Sequence, residues 1–381
     1  MHDARTVSRA TVITELLRLR PASRSQIVDN TSLSPATVSR TVDQLISEGL
    51  VREISIVVSE SRGRRAVLLD FVPDYVRVAG IDVGASSTRF VISDLVGNIE
   101  CELIAATPSN VTASALAHWL AAQLADAAGH ALSQLHSASV GLPGAVNRHE
   151  RTISNAPNLP VIEEPGFVSQ LEDAFGIPID IDNDVNYALL GELRYGAAVD
   201  YDTAAMLTLG AGLGASLAID GSILHGRRGL VGEFGALPIG PHGERLEELV
   251  TGPGIMRRAL SRGEYITQPS ELFRSDCTPG IAAMRAEFDS ALVLALTAIT
   301  VSCESDILVL GGRIAGSLTA DFARYETEIR TNLQFSPKLV HTSLGDLSGA
   351  VGAAIAGLQR AYRELGVPES ALATLPVKNA E

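Results

Sequence analysis

The sequence predicts an α/β protein: an N-terminal winged helix-turn-helix over residues 1–72, then a two-lobed body of mixed sheets flanked by helices. Three observations predict it. Residues 1–70 carry ten Arg against eight acids, about +2, in a chain whose net charge is −14. Two strand–glycine–strand patterns recur about 120 residues apart, at Gly84 and at Gly210-Ala-Gly-Leu-Gly214. Finally, Asp180-Ile-Asp-Asn-Asp-Val-Asn186 sets three carboxylates and two carboxamides between the apolar run 176–179 and an Ala/Leu-rich helical run from Tyr187 to Leu193. Open α/β sheets place ligands at such strand-to-helix crossings.

Composition limits the alternatives. With 381 residues the chain holds two or three folding units, and 46% hydrophobic with 19% charged residues marks them as globular. The net charge argues against nucleic acid as a partner of the whole surface, but it divides into about +2 for the head and −16 for the rest. Cys101, Cys277 and Cys303 are scattered, fit neither a zinc spacing nor a disulfide framework, and point to a reducing cytoplasm. No signal sequence opens the chain. The longest apolar stretch, Ser290 to Val301, is too short to span a membrane and is expected as a buried helix.

Residues 5–20 read as a helix on the stripe Ala10, Ile13, Leu16 and Leu17, stopped by Pro21. Ser23 caps a second helix, 24–30. Ser34 caps a third, with Pro35 at its first position and Gly49 at its end. On that third helix Val38, Val42, Leu45 and Ile46 share the packing face. Ala36, Thr37, Arg40 and Gln44 share the opposite face, small at its start and polar beyond, as a major-groove recognition helix requires. Arg24, Ser34 and Ser39 flank it. Strands are expected over 50–58 and 66–72, joined by a tip carrying Arg62, Arg64 and Arg65 around a glycine, which suits phosphate or minor-groove contact. The plainer alternative is a small dimerisation module with a solvated basic loop.

In the body, Val76 to Val83 and Ser87 to Asp94 read as a hairpin around Gly84, and 204–209 with 215–219 as a second, followed by an Asp220-Gly221 turn. Glycine tips let backbone N–H groups approach phosphate oxygens. Together with Gly311-Gly312 after the strand 307–310, the set resembles the acetate kinase/hexokinase/actin superfamily, a ribonuclease-H-like fold in which two hairpins hold ATP phosphates. More specifically, the chain resembles the ROK family (repressors, open reading frames and kinases) in its NagC/XylR-like regulator branch. The resemblance is carried by Gly80-Ile-Asp-Val-Gly84, Gly141-Leu-Pro-Gly-Ala-Val146, Ala156-Pro-Asn-Leu159, Ile181-Asp-Asn-Asp-Val-Asn186, Gly210 to Gly214, Gly232-Glu-Phe-Gly235, Leu308-Val-Leu-Gly-Gly312 and Gly349-Ala-Val-Gly-Ala-Ala354, in that order and with the basic wing ahead of them.

The resemblance implies a first lobe over 73–186, a second over 187–348, and a helix near 349–365 packing back on the first. It implies that Asp184 occupies the place of the kinases' general base, and that Asn158, Asn183, Glu233 and Glu247 contact a sugar. Asp82, Gly84, Gly210, Gly212 and Gly214 fall in the phosphate loops. Three departures stand against catalysis. The first loop, Asp-x-Gly-Gly-Thr-Lys in the kinases, reads Asp82-Val-Gly-Ala-Ser-Ser87, so Ala85 crowds the backbone and Ser87 removes the cation. Ala236 replaces a zinc-binding His. The Cys-rich zinc loop is absent from Gly240 to Glu247, where Arg245 takes the place of the last Cys and His242 alone cannot build a tetrahedral site. The expectation is therefore a cytoplasmic regulator, a repressor with no kinase activity, no zinc and no ATP. A sugar or sugar phosphate would act on a homodimer or dimer of dimers bound to operator DNA, with no membrane involved. The alternative is an ATP-dependent hexose or N-acetylhexosamine kinase with an appended DNA-binding head.

Overall fold

The computed structural model of the protein describes residues 4–55, 67–239 and 243–377. Helix α1 (Ala4–Leu19) buries Val12, Ile13, Leu16 and Leu17. A short strand, β1 (Ala22–Ser23), leads into α2 (Arg24–Asp29), where Ser23 and Gln26 exchange bonds in a capping box. The Ser34 hydroxyl accepts the Thr37 N–H at the start of α3 (Pro35–Ser47), and Gly49 turns the chain beyond it at φ +75°. Val38, Val42 and Leu45 are buried beneath α3. Strands β2 (Val51–Ser55) and β3 (Val67–Phe71) pair antiparallel, with β1 on the other edge of β3. Arg62, Arg64 and Arg65 of the expected wing lie outside the described residues.

The first lobe contains β4 (Arg77–Val83), β5 (Ser87–Asp94), β6 (Ile99–Ala106), α4 (Ala113–Ala128), β7 (Leu135–Leu142), the ribbon β8 (Ala145–Asn147) and β9 (Thr152–Ser154), α5 (Phe167–Phe175) and β10 (Ile179–Asn183). Its sheet runs β10-β7-β4-β5-β6, antiparallel across the two hairpins and parallel across β4-β7-β10. Helix α6 (Asp184–Tyr195) crosses to the second lobe. That lobe contains β11 (Ala204–Leu209), β12 (Leu213–Ile219), β13 (Ser222–Ile223), α7 (Leu246–Val250), α8 (Gly252–Ser261), α9 (Pro279–Cys303), β14 (Ile307–Gly311), α10 (Phe322–Leu333) and β15 (Lys338–His341). Its sheet, β13-β12-β11-β14-β15, repeats the strand order and directions of the first. The duplication expected from the two hairpins is thus a duplication of whole sheets.

Helix α11 (Ser348–Glu364) returns to the first lobe, and α12 (Glu369–Leu372) follows it. Glycines let α11 lie directly on its neighbours. A Cβ on Gly80 would overlap the Ala350 carbonyl, and one on Gly352 would overlap the Tyr187 carbonyl of α6. Each lobe has its own apolar core. A third cluster is shared: Ile13, Leu16, Leu45 and Phe71 of the head pack with Leu95, Leu358, Tyr362 and Leu375 of the body. The Tyr362 hydroxyl donates to the Leu95 carbonyl at 2.8 Å, and Arg20 pairs with Asp70 at 2.9 Å inside the same seam. The head therefore sits on the first lobe through buried surface, the dominant favourable term in such packing.

Two sequence expectations change. The apolar run 176–179 is not the strand before the acidic stretch; β10 is Ile179–Asn183, the acidic stretch itself. Ile179 and Ile181 point into the first-lobe core, so period-2 alternation turns Asp180 and Asp182 to the other face. The buried helix expected at Ser290 to Val301 is the second half of the 25-residue α9, the one helix among the described residues long and apolar enough to cross a membrane. Ile281, Met284, Phe288, Leu292, Leu296 and Ile299 bury one side of it in the second-lobe core.

Candidate functional site

The lobes enclose a cleft of about 340 Å³. The two hairpin tips supply Asp82, Gly84, Gly210, Gly212 and Gly214. The β10–α6 junction supplies Asn183 and Asp184. Asn158 comes from the segment after β9, Glu233 from the loop after β13, and Glu247 from the first turn of α7. All the residues expected at the sugar and the phosphates from sequence thus line one cavity. Gly232, at φ +97°, brings Glu233 there: its backbone lies so close to the Ala215 carbonyl that no Cβ fits.

The polar groups are not equally available. Asn183 is the N-cap of α6; its carbonyl oxygen accepts the Val185 and Asn186 N–H groups, and its amide donates to the Gly144 carbonyl at 2.8 Å. Asn158 and Glu233 make no side-chain hydrogen bond among the described residues, which leaves them facing the cavity. Asp184 keeps some exposure to the cleft, yet burial, then the charges of Asp82 and Glu233, push it up to about 8. Glu233 rises to about 7 through burial and Glu247. Asp82 rises to about 6 through burial and Asp346, partly offset by Arg89. Asp184 and Glu233 are raised because their charged forms have lost water without gaining a close cation, whereas for Asp82 the loss of water outweighs the nearby Arg89.

Arg89 was not anticipated from sequence. It stands two residues past Ser87 on β5, so the strand period carries it to the same face. Its guanidinium lies 3.7 Å from Asp82 and 3.5 Å from Asp346, and its Nε is buried without a hydrogen-bond partner. The first tip is closed on itself. The Gly84 N–H donates to the Ser87 carbonyl, and the Gly84 carbonyl accepts the Thr107 hydroxyl at 2.7 Å. Ala85 packs against the first-lobe core as well as lining the cleft. The second tip is tied in the same way: the Gly210 N–H donates to the Gly212 carbonyl, and the Gly210 carbonyl accepts the Gly252 N–H, although a Cβ at Gly210 would meet nothing within 4 Å. Ala236 and Arg245 carry no zinc-binding atom, His242 lies outside the described residues, and no group of three His, Cys, Asp or Glu among the described residues suits a metal.

Asp182 has a different place from Asp184. It accepts from Asn186 at 2.8 Å and meets His225 at 2.7 Å. Burial raises it, but His225, Arg148 and Asn186 outweigh burial and hold it below the ordinary carboxylate range. Asp180 pairs with Arg360 of α11 at 3.0 Å. Asp180 therefore ties β10 to α11, and Asp182 ties it to α6 and to the segments that carry His225 and Arg148. On the head, Ser34, Ala36, Arg40 and Gln44 are exposed along α3, with Thr37 and Ser39 half-buried between them. Arg24 is held by Asp43 and Glu53, and Gln44 donates to Glu48.

The family model described as "ROK family" matches residues 78–360. The chain is 30% identical over 269 residues to the DNA-binding transcriptional dual regulator NagC of Escherichia coli K12, covering 68% of this chain and 65% of that protein's length. Its fold is similar to that of the ROK hexokinase from Thermus thermophilus (26% identity, TM-score 0.63, 73% of this chain and 96% of that one). It is also similar to a ROK family transcriptional regulator homologous to the E. coli MLC protein, over 97% of this chain and 99% of that one, with TM-score 0.75 and 21% identity. That match runs through head and body alike, and at its identity it speaks to fold alone. The chain belongs to the ROK family.

Proposed function

We propose that the protein is a cytoplasmic, sugar-responsive DNA-binding transcriptional regulator, a repressor of carbohydrate uptake or catabolism genes, and that it has lost phosphoryl transfer. The observation that carries this is the buried union of two sites. The exposed face of α3 belongs to a head whose core is continuous with α11, and the other end of α11, at Ser348 and Gly349, lines the cleft. Asn158, Asp184, Glu233 and Glu247 hold the sugar, and Asn183 shapes the turn that presents Asp184. Ser34, Ala36, Thr37, Ser39, Arg40 and Gln44 face the major groove, with Arg24 and the wing arginines Arg62, Arg64 and Arg65 toward the backbone. Two heads of a homodimer, or of a dimer of dimers, read two half-sites.

Charge and backbone support the loss of catalysis. Burial and the charges of Asp82 and Glu233 favour the protonated form of Asp184, which weakens it as a proton acceptor. Arg89, set between Asp82 and Asp346 in the wall of the cleft, has its charge answered by those two carboxyls. Ser87 supplies no charge to a γ-phosphate. The donor set does not fit zinc, and we assign neither zinc nor ATP as a cofactor. The test is retardation of DNA from the protein's own promoter region at about 100 mM salt, where specific binding survives. Absence of sequence-selective retardation overturns the proposal.

One observation favours a second reading, an ATP-dependent sugar kinase: the Gly210–Gly214 tip keeps its glycines and lines the same cleft as Asp184. That reading requires sugar-stimulated ADP release that vanishes in Asp184→Asn.

A further inference from the structure

We infer that a second cavity, separated from the cleft by Asn183, is a binding site for a small phosphate-bearing anion and draws its walls from both lobes. Its volume is about 280 Å³. The first lobe supplies the segment 146–150 and Asp182 of β10, the second lobe supplies the segment 224–231 after β13, and Asn186 of α6 lies between them. Asn183 alone lines both this cavity and the cleft. Its side chain is committed to the α6 cap and to the Gly144 carbonyl, which makes it a partition. Gly229, at φ +72°, seats the second-lobe segment on the first: a Cβ there would overlap the Val146 carbonyl.

Carboxyls outnumber cations in the cleft; in this cavity Arg148, His149, His225 and Arg227 face only Asp182 and Glu150. Asp182, 3% exposed, organises the floor. One of its oxygens accepts from Asn186, which in turn accepts the Ser216 hydroxyl at 2.8 Å. The other meets His225 Nε2 at 2.7 Å and the Arg148 guanidinium at 3.7 Å. Arg148 and His225 are themselves 3.0 Å apart, so one buried carboxylate sets an arginine and an imidazole side by side. Arg148 remains half exposed. The Nδ1 atom of His225 and the side chains of His149 and Arg227 have no partner among the described residues. A phosphate monoester offers three terminal oxygens to share among Arg148, Arg227 and an imidazole, where a carboxylate offers two. Its double negative charge also answers a surplus of cations that a neutral ligand leaves in place. Because the walls belong to both lobes, a bound anion favours the arrangement that holds segments 146–150 and 224–231 together, whatever the cleft contains.

The test is isothermal titration of the full chain with inorganic phosphate, glucose 6-phosphate and glucose, at a constant ionic strength of about 150 mM, where distant charges are screened. Both phosphates are expected to bind. Arg227→Ala and Arg148→Gln should each weaken that binding by roughly tenfold or more, and Arg313→Ala, in the cleft, should leave it unchanged. Arg227 is exposed, so its replacement should leave the unfolding midpoint in place and the lost affinity is read free of folding. An ester that binds more tightly than inorganic phosphate assigns the site to a phosphorylated metabolite; equal affinities assign it to the free anion. Phosphate binding that is lost in Arg313→Ala and kept in Arg227→Ala puts the anion in the cleft and overturns the inference. So does failure of both phosphates to bind, or an equal loss of glucose and its ester in Arg227→Ala.

Discussion

Asp184→Asn should stabilise the unliganded protein, and by more as the pH rises. Burial and the charges of Asp82 and Glu233 raise this carboxyl from 3.8 to about 8 in the folded chain. The folded state therefore binds the proton more tightly than the unfolded state. The stability tied to that proton is complete below about pH 4 and is lost as the pH climbs through about 8. The interval from 3.8 to about 8, at about 1.4 kcal/mol per pH unit, sets a ceiling of roughly 6 kcal/mol. Asp82 and Glu233, raised to about 6 and about 7, lose protons in the same interval, so the three share one penalty. Removing Asp184 should relieve roughly half of it at pH 8.5, about 3 kcal/mol, and less than about 1 kcal/mol at pH 5, where the folded carboxyl is still protonated.

One term opposes this gain. Asp184 is the first residue of α6, where a carboxylate favours the helix dipole by about 0.3–1 kcal/mol. That is too little to reverse the sign at pH 8.5. Asparagine keeps the shape of the neutral acid and the acceptor for the Val185 N–H. Denaturant unfolding of both proteins between pH 5 and 9 reads the difference directly. Equal stabilisation at pH 5 and pH 8.5, or destabilisation at pH 8.5, would refute the reasoning.

Further outcomes follow from the head, the α11 layer and the cleft. Arg40→Ala should weaken operator binding by about 1–3 kcal/mol in a mobility-shift titration, with the sugar isotherm unchanged. Ser34→Ala removes the cap from α3 and should cost about 1 kcal/mol of stability, read by denaturant melts of the full chain. Gly352→Ala forces a methyl group into the Tyr187 carbonyl and should cost more than about 3 kcal/mol or abolish soluble expression, since the contact is backbone against backbone. Prolonged incubation with a strong chelator should leave the unfolding midpoint within about 1 °C of the untreated protein; a larger fall would reveal a structural metal.

The parts of this structure that announced themselves are those governed by local chemistry. Ser23, Ser34, Pro35 and Gly49 mark helix ends because caps and left-handed turns depend on the residue itself. The cleft residues from Asp82 to Glu247 were legible through ordered motifs. What stayed hidden depends on pairing at a distance. Asp180, Asp182, Asp184, Asn183 and Asn186 look alike as neighbours in sequence, and only strand pairing with β7 sorts them into ties to Arg360 and His225, a helix cap and a cleft acid. Arg89 could have been found by stepping two residues from Ser87, but Asp346 lies 257 positions away and carries no local signal. The length of α9 was missed because its first half mixes exposed Ala and charged residues with Ile281, Met284 and Phe288, which blurs the apolar run.

The shared core also constrains how a ligand reaches the DNA. Head, first lobe and α11 are packed as one body, with Tyr362, Leu358 and Leu95 in the same cluster as Ile13 and Leu45. The cleft, however, is closed from the other side by Glu233, Glu247 and the Gly210–Gly214 tip, all of the second lobe. A sugar bridging these groups favours the closed arrangement of the lobes by its differential affinity alone. Closure then moves the second lobe relative to the head, not the head relative to the first lobe. In the proposed dimer, the spacing of the two heads responds to sugar only if subunit contacts are made through the second lobe, or if α6 and α11 pass the motion on. The glycine-tight seam at Gly352, Gly191 and Tyr187 joins those two helices without a compressible side chain between them. Packed interfaces of that kind have few intermediate arrangements, so a small shift of the second lobe has to be accommodated by α11 as a unit, and α11 ends in the core of the head.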